Sequence, residues 1–358
     1  MKLIEMGMNL AGGAADSVFL LPPWISGRFV LKRKVARADY EAELDFYISK
    51  GFTKDPESFF DRPEKAPETA LVEEIPYHDG FRRILGFPSG YKAKNPLVGE
   101  RYANYMRNRT AYLVHWTHGD RPRKTVLCLH GLMMAEPQRA ENMFKVKALF
   151  DAGLDVALCV APFHWLRASK KPEGRQPPIR PQHPALTCEF IGQAMRDVLS
   201  CLLLLESLGA SEIGVIGASL GGYLGGLLAC LSDKPKFVAL MVPGINFLKP
   251  LGPDSFPMSF PVDRALRKKV HEVFTFHSPA RLLPLVPRDG ILIVASQGDR
   301  LCPFEAVKDL CEKWGNPPHR FLPGGHWLVF DGKARGRAWY DLLIRKGFLE
   351  KRERDASC

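Results

Sequence analysis

Residues 211–231 read SEIGVIGASLGGYLGGLLACL, and they carry the strongest fold signal in the chain. Residues 211–217 form an apolar run typical of a buried strand, and residues 220–231 are small and apolar, as in a helix packed closely on a sheet. The two runs meet at a G-x-S-x-G turn, Gly217 to Gly221, of the kind that exposes its serine at the end of a strand. The stretch therefore predicts a nucleophilic serine, Ser219, at the edge of a sheet.

The lack of charge in this stretch has a second interpretation, a membrane span. Residues 213–232 contain no charged side chain, and the spacing of Gly217 and Gly221 matches the GxxxG pattern of transmembrane helices. A buried strand, a glycine-rich turn and a buried helix account for the same composition without a bilayer, so we expect no span here. Residues 1–21 are mildly apolar but are interrupted by acidic residues and glycines, which disfavours a secretory signal.

Short apolar runs alternate with helical patterns on both sides of this stretch. Runs typical of strands occupy residues 110–116, 124–129, 155–161, 237–242, 290–295 and 319–322. Patterns typical of helices occupy residues 39–50, 139–152, 190–208, 303–314 and 333–345. Such alternation indicates βαβ units, and hence an α/β fold with a mostly parallel central sheet and helices on both faces.

A serine hydroxyl needs a general base, and the base needs an orienting acid. In the architecture that carries a G-x-S-x-G elbow, the acid and then the histidine follow the serine along the chain. Asp299 follows the strand predicted at 290–295, and His326 lies after two glycines in LPGGH, beyond the last predicted strand. Other histidines precede the serine or the acid, or fall within a predicted strand. His326 is therefore the predicted base and Asp299 the predicted acid.

The oxyanion that forms when a carbonyl is attacked needs two preformed backbone N–H donors. One is expected from Leu220, the residue after the serine, and the other from the turn after the second predicted strand. That turn reads His130-Gly131-Leu132-Met133, in which Gly131 permits a sharp bend. Leu132 is the predicted second donor, and Met133 is the alternative.

Four motifs at the strand ends resemble those of the α/β-hydrolase superfamily, in its serine-nucleophile esterase or lipase-like branch. The motifs are LHG, GASLGG, SQGDRLCP and LPGGH. The resemblance implies an α/β-hydrolase fold in which Ser219 is the nucleophile, Asp299 the acid and His326 the base. Leu132 and Leu220 are then the oxyanion donors.

The resemblance also implies which residues line the substrate pocket. The family often places pocket residues in a stretch that corresponds to residues 161–167 here, and others lie in the oxyanion turn and beside the base. The pocket candidates are His130, Met133, Phe163, His164, Trp165 and Trp327. Serine rather than aspartate at the elbow argues against displacement at epoxides or halides, where a carboxylate attacks carbon.

The resemblance covers about residues 110–347, and we expect the chain to divide there. Residues 1–110 are an N-terminal extension of unassigned role, residues 111–347 the hydrolase core and residues 348–358 a basic tail. Within the core, residues 243–288 are too long for a turn and predict a cap insertion after strand 6 of the family's sheet. Its apolar side chains either line a pocket for an acyl or aromatic group or pack onto the core: Phe247, Leu251, Phe256, Met258, Phe260, Phe274 and Phe276.

Composition limits the class of protein and its partners. Of the 358 residues, 46% are hydrophobic and 25% charged, so the chain buries a sizeable core and is not disordered as a whole. Lys and Arg outnumber Asp and Glu by 50 to 39, a net charge of +11. Basic residues are scattered and no nucleic-acid-binding module is recognisable, so we expect no nucleic-acid partner.

Two basic runs, residues 28–37 and 351–354, leave two alternatives open: a solvated surface, or peripheral contact with an anionic membrane. The eight cysteines contain no C-x-x-C pair, so they predict no metal site and suit a reducing, cytoplasmic compartment. No cofactor is expected.

The sequence thus predicts a serine hydrolase that cleaves a carboxylic ester, thioester or amide through an acyl-enzyme, with a small-molecule or lipid ester as substrate. The alternatives are an acyltransferase or peptidase with the same triad, and a catalytically silent hydrolase fold that serves as a binding protein. Activity is expected to fall as His326 is protonated, near the ordinary histidine pKa of about 6.5.

Overall fold

One nine-stranded sheet runs through the part of the chain that the computed structural model describes, which is residues 2–20, 35–119, 121–132, 134–170, 177–180, 182–246, 258 and 260–351. The strands are β1 (Ala70–Tyr77), β2 (Gly80–Pro88), β3 (Thr110–Thr117), β4 (Arg123–Leu129), β5 (Asp155–Val160), β6 (Ala210–Ala218), β7 (Phe237–Met241), β8 (Ile291–Ser296) and β9 (His319–Leu322). Their order is β1-β2-β3-β5-β4-β6-β7-β8-β9. Strands β4 to β9 are parallel, whereas β1, β2 and β3 pair antiparallel with their neighbours. The predicted mostly parallel sheet is confirmed.

Both faces of the sheet are buried. In β4, Leu127 and Leu129 belong to one hydrophobic cluster, while Val126 and Cys128 belong to a second. Successive side chains of a strand point to opposite faces, so the two clusters lie on opposite sides of the sheet. All residues of β5 and β8 are buried. Strands buried on both faces read as continuous apolar runs, which is why the sequence revealed them.

Helices cover both faces. They are α1 (Lys2–Leu20), α2 (Arg37–Ser49), α3 (Pro96–Ala103), α4 (Pro137–Phe144), α5 (Val146–Phe150), α6 (Pro184–Ser207), α7 (Leu220–Leu231), α8 (Arg264–Thr275), α9 (Phe304–Lys313) and α10 (Gly332–Arg345). The cluster that contains Leu127 includes side chains of α2, α3, α6, α7, α8 and α9. The opposite cluster includes side chains of α4, α5 and α10. The predicted α/β layering is confirmed.

Two helical patterns differ from the predictions by more than the one or two residues seen at the ends of the others. The pattern at residues 139–152 is two helices, α4 and α5, because Lys145 adopts a left-handed conformation with φ of +53° that ends the first. Helix α6 begins at Pro184 rather than at residue 190, since proline suits the first position of a helix. The charge-free stretch 213–232 is divided between β6 and α7, as predicted. Within the described residues, no helix combines the length and the apolar character needed to cross a membrane.

The N-terminal extension is part of the same sheet and the same core. Strand β2 pairs with β3 from Phe81, opposite Thr117, to Pro88, opposite Thr110. Strand β1 lies outside β2 at the edge of the sheet. Side chains of α2, such as the fully buried Tyr47, share the cluster that covers one face of the sheet. The described part of the extension therefore does not form a separate hydrophobic core.

Sequence patterns did not predict β1, β2, α1, α3 or α8. Strand β1 is exposed along its length except at Tyr77, so it lacks the apolar run that marks a buried strand. Its acidic residues Glu73 and Glu74 instead form ion pairs across the hairpin with Arg82 and Arg83. Cross-strand pairs of this kind stabilise an edge strand through its partner, which a single-strand pattern does not reveal.

A buried ion pair joins the extension to the core. The side chains of Arg167 and Asp197 are fully buried, and Nη1 of the first lies 2.7 Å from Oδ2 of the second. Arg167 also donates to the carbonyl oxygens of Val160 and Asn108, and the Ser89 hydroxyl donates to Asp197 at 2.6 Å. Burial raises the pKa of Asp197, and the Arg167 charge opposes that rise. Because Ser89 and Asn108 belong to the extension, the pair links it to helix α6.

We predict that Asp197→Ala lowers the free energy of unfolding by about 3–5 kcal/mol, because it leaves the buried Arg167 charge without its counter-ion. Urea denaturation measures the change. The control is Lys234→Ala, which removes an exposed ion pair with Glu206 and should change stability little, since water already solvates both charges. Equal losses in the two variants would contradict the prediction.

Candidate active site

Ser219 lies at the turn between β6 and α7 in a strained backbone conformation. Its φ is +56° and its ψ is −114°, a region that residues other than glycine rarely occupy. A Cβ atom on Gly217 would lie 2.1 Å from the Gly221 carbonyl oxygen, and one on Gly221 would lie 1.8 Å from the Leu129 carbonyl oxygen. Both flanking positions therefore require glycine, which is the elbow geometry that the G-x-S-x-G pattern predicted.

The structure brings the three predicted catalytic residues together in one chain of hydrogen bonds. His326 Nε2 lies 3.1 Å from Ser219 Oγ, and His326 Nδ1 lies 2.8 Å from Asp299 Oδ2. The other oxygen of Asp299 accepts the backbone N–H groups of Leu301 at 2.9 Å and Cys302 at 2.7 Å. With its Nδ1–H donated to the carboxylate, the imidazole keeps Nε2 as the acceptor that faces the serine hydroxyl.

Parallel strands explain why these residues meet. Ser219 follows β6, Asp299 follows β8 and His326 follows β9. The carboxyl ends of parallel strands lie at the same edge of a sheet, and the order β6-β7-β8-β9 brings the three loops side by side. Asp299 and His326 are both more than 90% buried. Water therefore has little access to the hydrogen bond between them.

Burial and two neighbours set the pKa of His326. Burial disfavours the imidazolium and by itself lowers this pKa, but Cys302 and the hydrogen-bonded Asp299 outweigh it, so the net pKa lies well above the ordinary value. The pH below which activity is expected to fall is therefore higher than the value of about 6.5 expected from the sequence. Burial also raises the pKa of the Cys302 thiol, and His326 and Ser219 act against that rise.

Cys302 is a site residue that sequence reasoning missed. It lies three positions after Asp299, in the same SQGDRLCP motif, and this spacing was the available signal. Together Asp299, Cys302 and His326 form the one group among the described residues whose possible metal-ligand atoms lie within 4.8 Å of one another. A metal ion there would take the carboxylate and imidazole atoms from their mutual hydrogen bond. The arrangement therefore suits proton transfer better than metal binding.

The two segments that carry the predicted oxyanion donors lie next to Ser219. Leu220 is the first residue of α7, where N–H groups have no partner within the helix. Gly131 lies against the nucleophile, since a Cβ atom there would be 3.3 Å from Ser219 Cβ. Leu132 follows it and is 41% exposed. Met133, the alternative donor and a pocket candidate, lies outside the described residues.

Two pocket candidates, His130 and His164, are buried against the backbone. His130 Nδ1 donates to the Gly131 carbonyl at 2.7 Å, and its Nε2 accepts the Ala161 N–H at 3.0 Å. Burial lowers the pKa of His130 to about 4 and that of His164 to about 3, so both rings are neutral at physiological pH. His164 Nδ1 donates to the Pro162 carbonyl. His130 thereby links the turn after β4 to the residue that follows β5.

The three aromatic candidates differ in exposure. Phe163 is fully buried, packs edge-on against Tyr105 and donates its N–H to the Asn108 side chain at 2.8 Å. Trp165 is partly buried on the opposite face of the sheet. Trp327, next to the base, is 46% exposed. Among the three, Trp327 presents the most surface, and it lies next to His326.

The described part of the predicted cap insertion packs onto the core. Phe274 and Phe276 are buried in it, and Met258 and Phe260 pack partly buried against it. The ring of Phe276 lies 5.1 Å from that of Phe59 in the extension. Three other apolar residues of the insertion lie outside the described residues: Phe247, Leu251 and Phe256.

Comparison with known proteins agrees with the fold. No model of a protein family matches the chain. Acetyl xylan esterase 1 from Thermoanaerobacterium sp. JW/SL YS485 superposes with a TM-score of 0.54 at 11% identity, over 90% of this chain and 99% of that one. The acetyl xylan esterase from Paenibacillus sp. R4 superposes with a TM-score of 0.53 at 13% identity, over 88% and 98%. At these identities the likeness concerns the fold, which is that of an α/β-hydrolase.

Within this fold, the chain belongs to the same family as two proteins from Mycobacterium tuberculosis. They are the uncharacterized protein MT2702 of strain CDC 1551 / Oshkosh and the uncharacterized protein Rv2627c of strain ATCC 25618 / H37Rv. Each is 31% identical over 326 residues, which cover 88% of this chain and 77% of the relative.

We predict that His326 titrates above pH 6.5, because the hydrogen-bonded Asp299 carboxylate favours its charged form. As pH falls through that raised pKa, the imidazole gains a proton and can no longer accept one from the serine. NMR titration of the ring nitrogens measures the pKa directly. In Asp299→Asn it should move down, because the amide carries no charge to favour the imidazolium, whereas Asp289→Asn, at an exposed ion pair with Lys346, should leave it unchanged. A wild-type pKa at or below 6.5 would count against the assignment.

Proposed function

We propose that the protein is a serine hydrolase that cleaves carboxylic esters through an acyl-enzyme intermediate. The observation that carries this proposal is the chain of hydrogen bonds from Asp299 through His326 to Ser219, with the serine in a strained turn at the carboxyl edge of the sheet. Nucleophile, base and orienting acid in this relation are the requirements for acyl transfer by serine. The names of the two acetyl xylan esterases of similar fold support ester rather than peptide cleavage.

Each residue has a defined role in the proposed reaction. His326 Nε2 takes the proton of Ser219 Oγ as the oxygen attacks the carbonyl carbon, and the oxyanion accepts hydrogen bonds from the N–H groups of Leu132 and Leu220. The imidazolium then gives its proton to the leaving alcohol, and the acyl-enzyme remains. A water molecule deprotonated by His326 attacks the acyl carbon and releases the acid. Asp299 holds the ring in one tautomer and stabilises its charged form.

Labelling of Ser219 by a fluorophosphonate tests the proposal. Wild-type protein should be labelled and should hydrolyse p-nitrophenyl esters. Ser219→Ala should lose all labelling and about 10⁴-fold or more of kcat, because no other group replaces the nucleophile. Ser49→Ala, an exposed serine at the end of α2, is the matched control and should retain both. Absence of labelling in the wild-type protein would favour a silent hydrolase fold, and transfer to an added alcohol or amine in preference to water would favour an acyltransferase.

Surface residues support a further proposal, peripheral contact with anionic lipid in the cytoplasm. Ile4, Met6 and Leu10 of helix α1 are all more than half exposed, and the chain carries a net charge of +11. The basic run 28–37 lies outside the described residues except at its end, where Arg37 pairs with Glu41 and Asp263. The seven described cysteines are free and buried, which supports a reducing compartment.

Vesicle sedimentation tests lipid contact. We expect the protein to bind phosphatidylserine vesicles in preference to phosphatidylcholine vesicles and to dissociate at high salt, because charge attraction is screened. Replacing both Ile4 and Leu10 with Ser should weaken binding, since less apolar surface enters the interface. Leu71→Ser, at a similarly exposed leucine of edge strand β1, is the control and should not. Equal binding to the two kinds of vesicle would exclude recognition of anionic lipid.

A further inference from the structure

Helix α1 of the extension contacts both loops that carry the acid and the base. Asp16 of this helix is completely buried. Its carboxylate accepts the backbone N–H of His326, at 2.8 Å to Oδ2 and 2.9 Å to Oδ1, and that of Trp327 at 3.3 Å. It also accepts the N–H of Arg300, next to Asp299, at 3.1 Å. One carboxylate therefore holds the backbone of the histidine loop and the backbone of the acid loop.

Two further side chains of α1 bind the same loops. Asn9 Oδ1 accepts the Gly324 N–H at 2.9 Å, and Asn9 Nδ2 donates to the Gln297 side chain at 3.2 Å. Arg300 donates to the Ser17 hydroxyl at 2.8 Å. The helix thus makes hydrogen bonds on both sides of Asp16, and the contact is an extended one.

The backbones of α1 and of these loops touch. A Cβ atom on Gly12 would lie 2.1 Å from the Gly325 nitrogen. A Cβ atom on Gly298 would lie 2.3 Å from the Asn9 carbonyl oxygen. Glycine is therefore required on both sides of the contact. Gly7, on the same helix, has open space around it and does not take part.

The histidine loop needs such support. Gly324 and Gly325, just before the base, have wide conformational freedom, and Gly324 adopts a φ of +124°. A general base works only within hydrogen-bond reach of the proton it removes, and small displacements from reacting geometry reduce rates steeply. A buried carboxylate is stable only when its oxygens are hydrogen-bonded. In the structure, the N–H groups of His326, Trp327 and Arg300 supply these hydrogen bonds to Asp16. The buried carboxylate and the positions of the two loops therefore depend on each other.

We propose that Asp16 is a positioning residue of the active site, through which helix α1 holds the histidine and acid loops in the geometry needed for proton transfer. The proposal rests on the serine hydrolase function proposed above. Asp16 acts through the backbone of His326 and Arg300 and does not itself contact the reacting atoms. The N-terminal extension accordingly contributes to catalysis as well as to the core.

Kinetics normalised to active sites separate positioning from folding. In Asp16→Asn, one acceptor oxygen becomes a donor group, so kcat per fluorophosphonate-titrated site should fall about 10- to 100-fold, while KM for a p-nitrophenyl ester changes little. In Asp16→Ala, which has no acceptor at this position, kcat per site should fall further. The matched control is Glu5→Gln, an equivalent change near the start of α1, which should match the wild type. A purely structural role would lower the number of titratable sites and leave kcat per site unchanged, and that result would overturn the proposal.

A second pair of variants tests the helix contact without altering a polar group. Gly12→Ala places a methyl group against the backbone of the histidine loop and should lower kcat per site in the same way as Asp16→Asn. Gly7→Ala adds the same methyl group to the same helix in open space and should not. Equal kcat per site in the two variants would contradict a positioning role for α1.

Amide hydrogen exchange tests whether Asp16 holds the histidine loop, independently of whether the protein cleaves esters. Amide exchange of residues 324–330 should accelerate in Asp16→Asn and Gly12→Ala and stay at the wild-type rate in Glu5→Gln and Gly7→Ala, whether or not the protein cleaves esters. If the wild-type protein neither reacts with fluorophosphonate nor cleaves esters, the proposed function fails, and exchange still reports whether Asp16 holds the loop. Unchanged exchange in Asp16→Asn would refute the role of Asp16 even in an active hydrolase.

Discussion

The close approach of helix α7 to strand β4 is the constraint on which the site depends. Gly221 lies so near the Leu129 carbonyl oxygen that a Cβ atom would be 1.8 Å from it. The chain must therefore turn sharply between β6 and α7, and Ser219 takes up the strain at φ of +56°. That conformation puts its hydroxyl 3.1 Å from His326 Nε2. The turn that follows β4, which contains the predicted oxyanion donor Leu132, also lies beside the serine.

The extension stabilises this arrangement from two sides. On the side of α6, the buried pair of Arg167 and Asp197 binds groups from the end of β2 and the start of β3. On the other side, α1 lies across the loops after β8 and β9, with Asp16 on the backbone N–H of His326. An interior of this kind is stable because each buried charge has partners. The described part of the N-terminal extension therefore belongs to the α/β-hydrolase fold and is not an appendage to it.

Sequence reasoning succeeded where a local pattern determines the structure. Buried parallel strands read as apolar runs, and the elbow reads as G-x-S-x-G, so the sheet and the position of Ser219 were predictable. Asp299 and His326 followed from chain order and from their places after strands. Strand β1 was missed because it is exposed along nearly its whole length, and β2 because Arg82, Arg83 and Gly86 interrupt its buried apolar residues. Cys302 was missed although it lies in the same motif as Asp299, because only the packing of the loops brings its thiol close to His326. The roles of Leu132 as oxyanion donor and Trp327 as pocket residue remain predictions.

By itself, the sequence determined most strands and helices from β3 onward, the turn at Ser219 and the residues that end the neighbouring strands, because each depends on a few adjacent side chains. The tertiary structure decided which distant groups support them. Asp16 lies 310 positions before His326 in the chain, and no spacing rule connects a buried aspartate in one helix with the backbone of a loop that far away. The Cys302 thiol likewise lies within 4.8 Å of the His326 ring only because the loops after β8 and β9 are packed together.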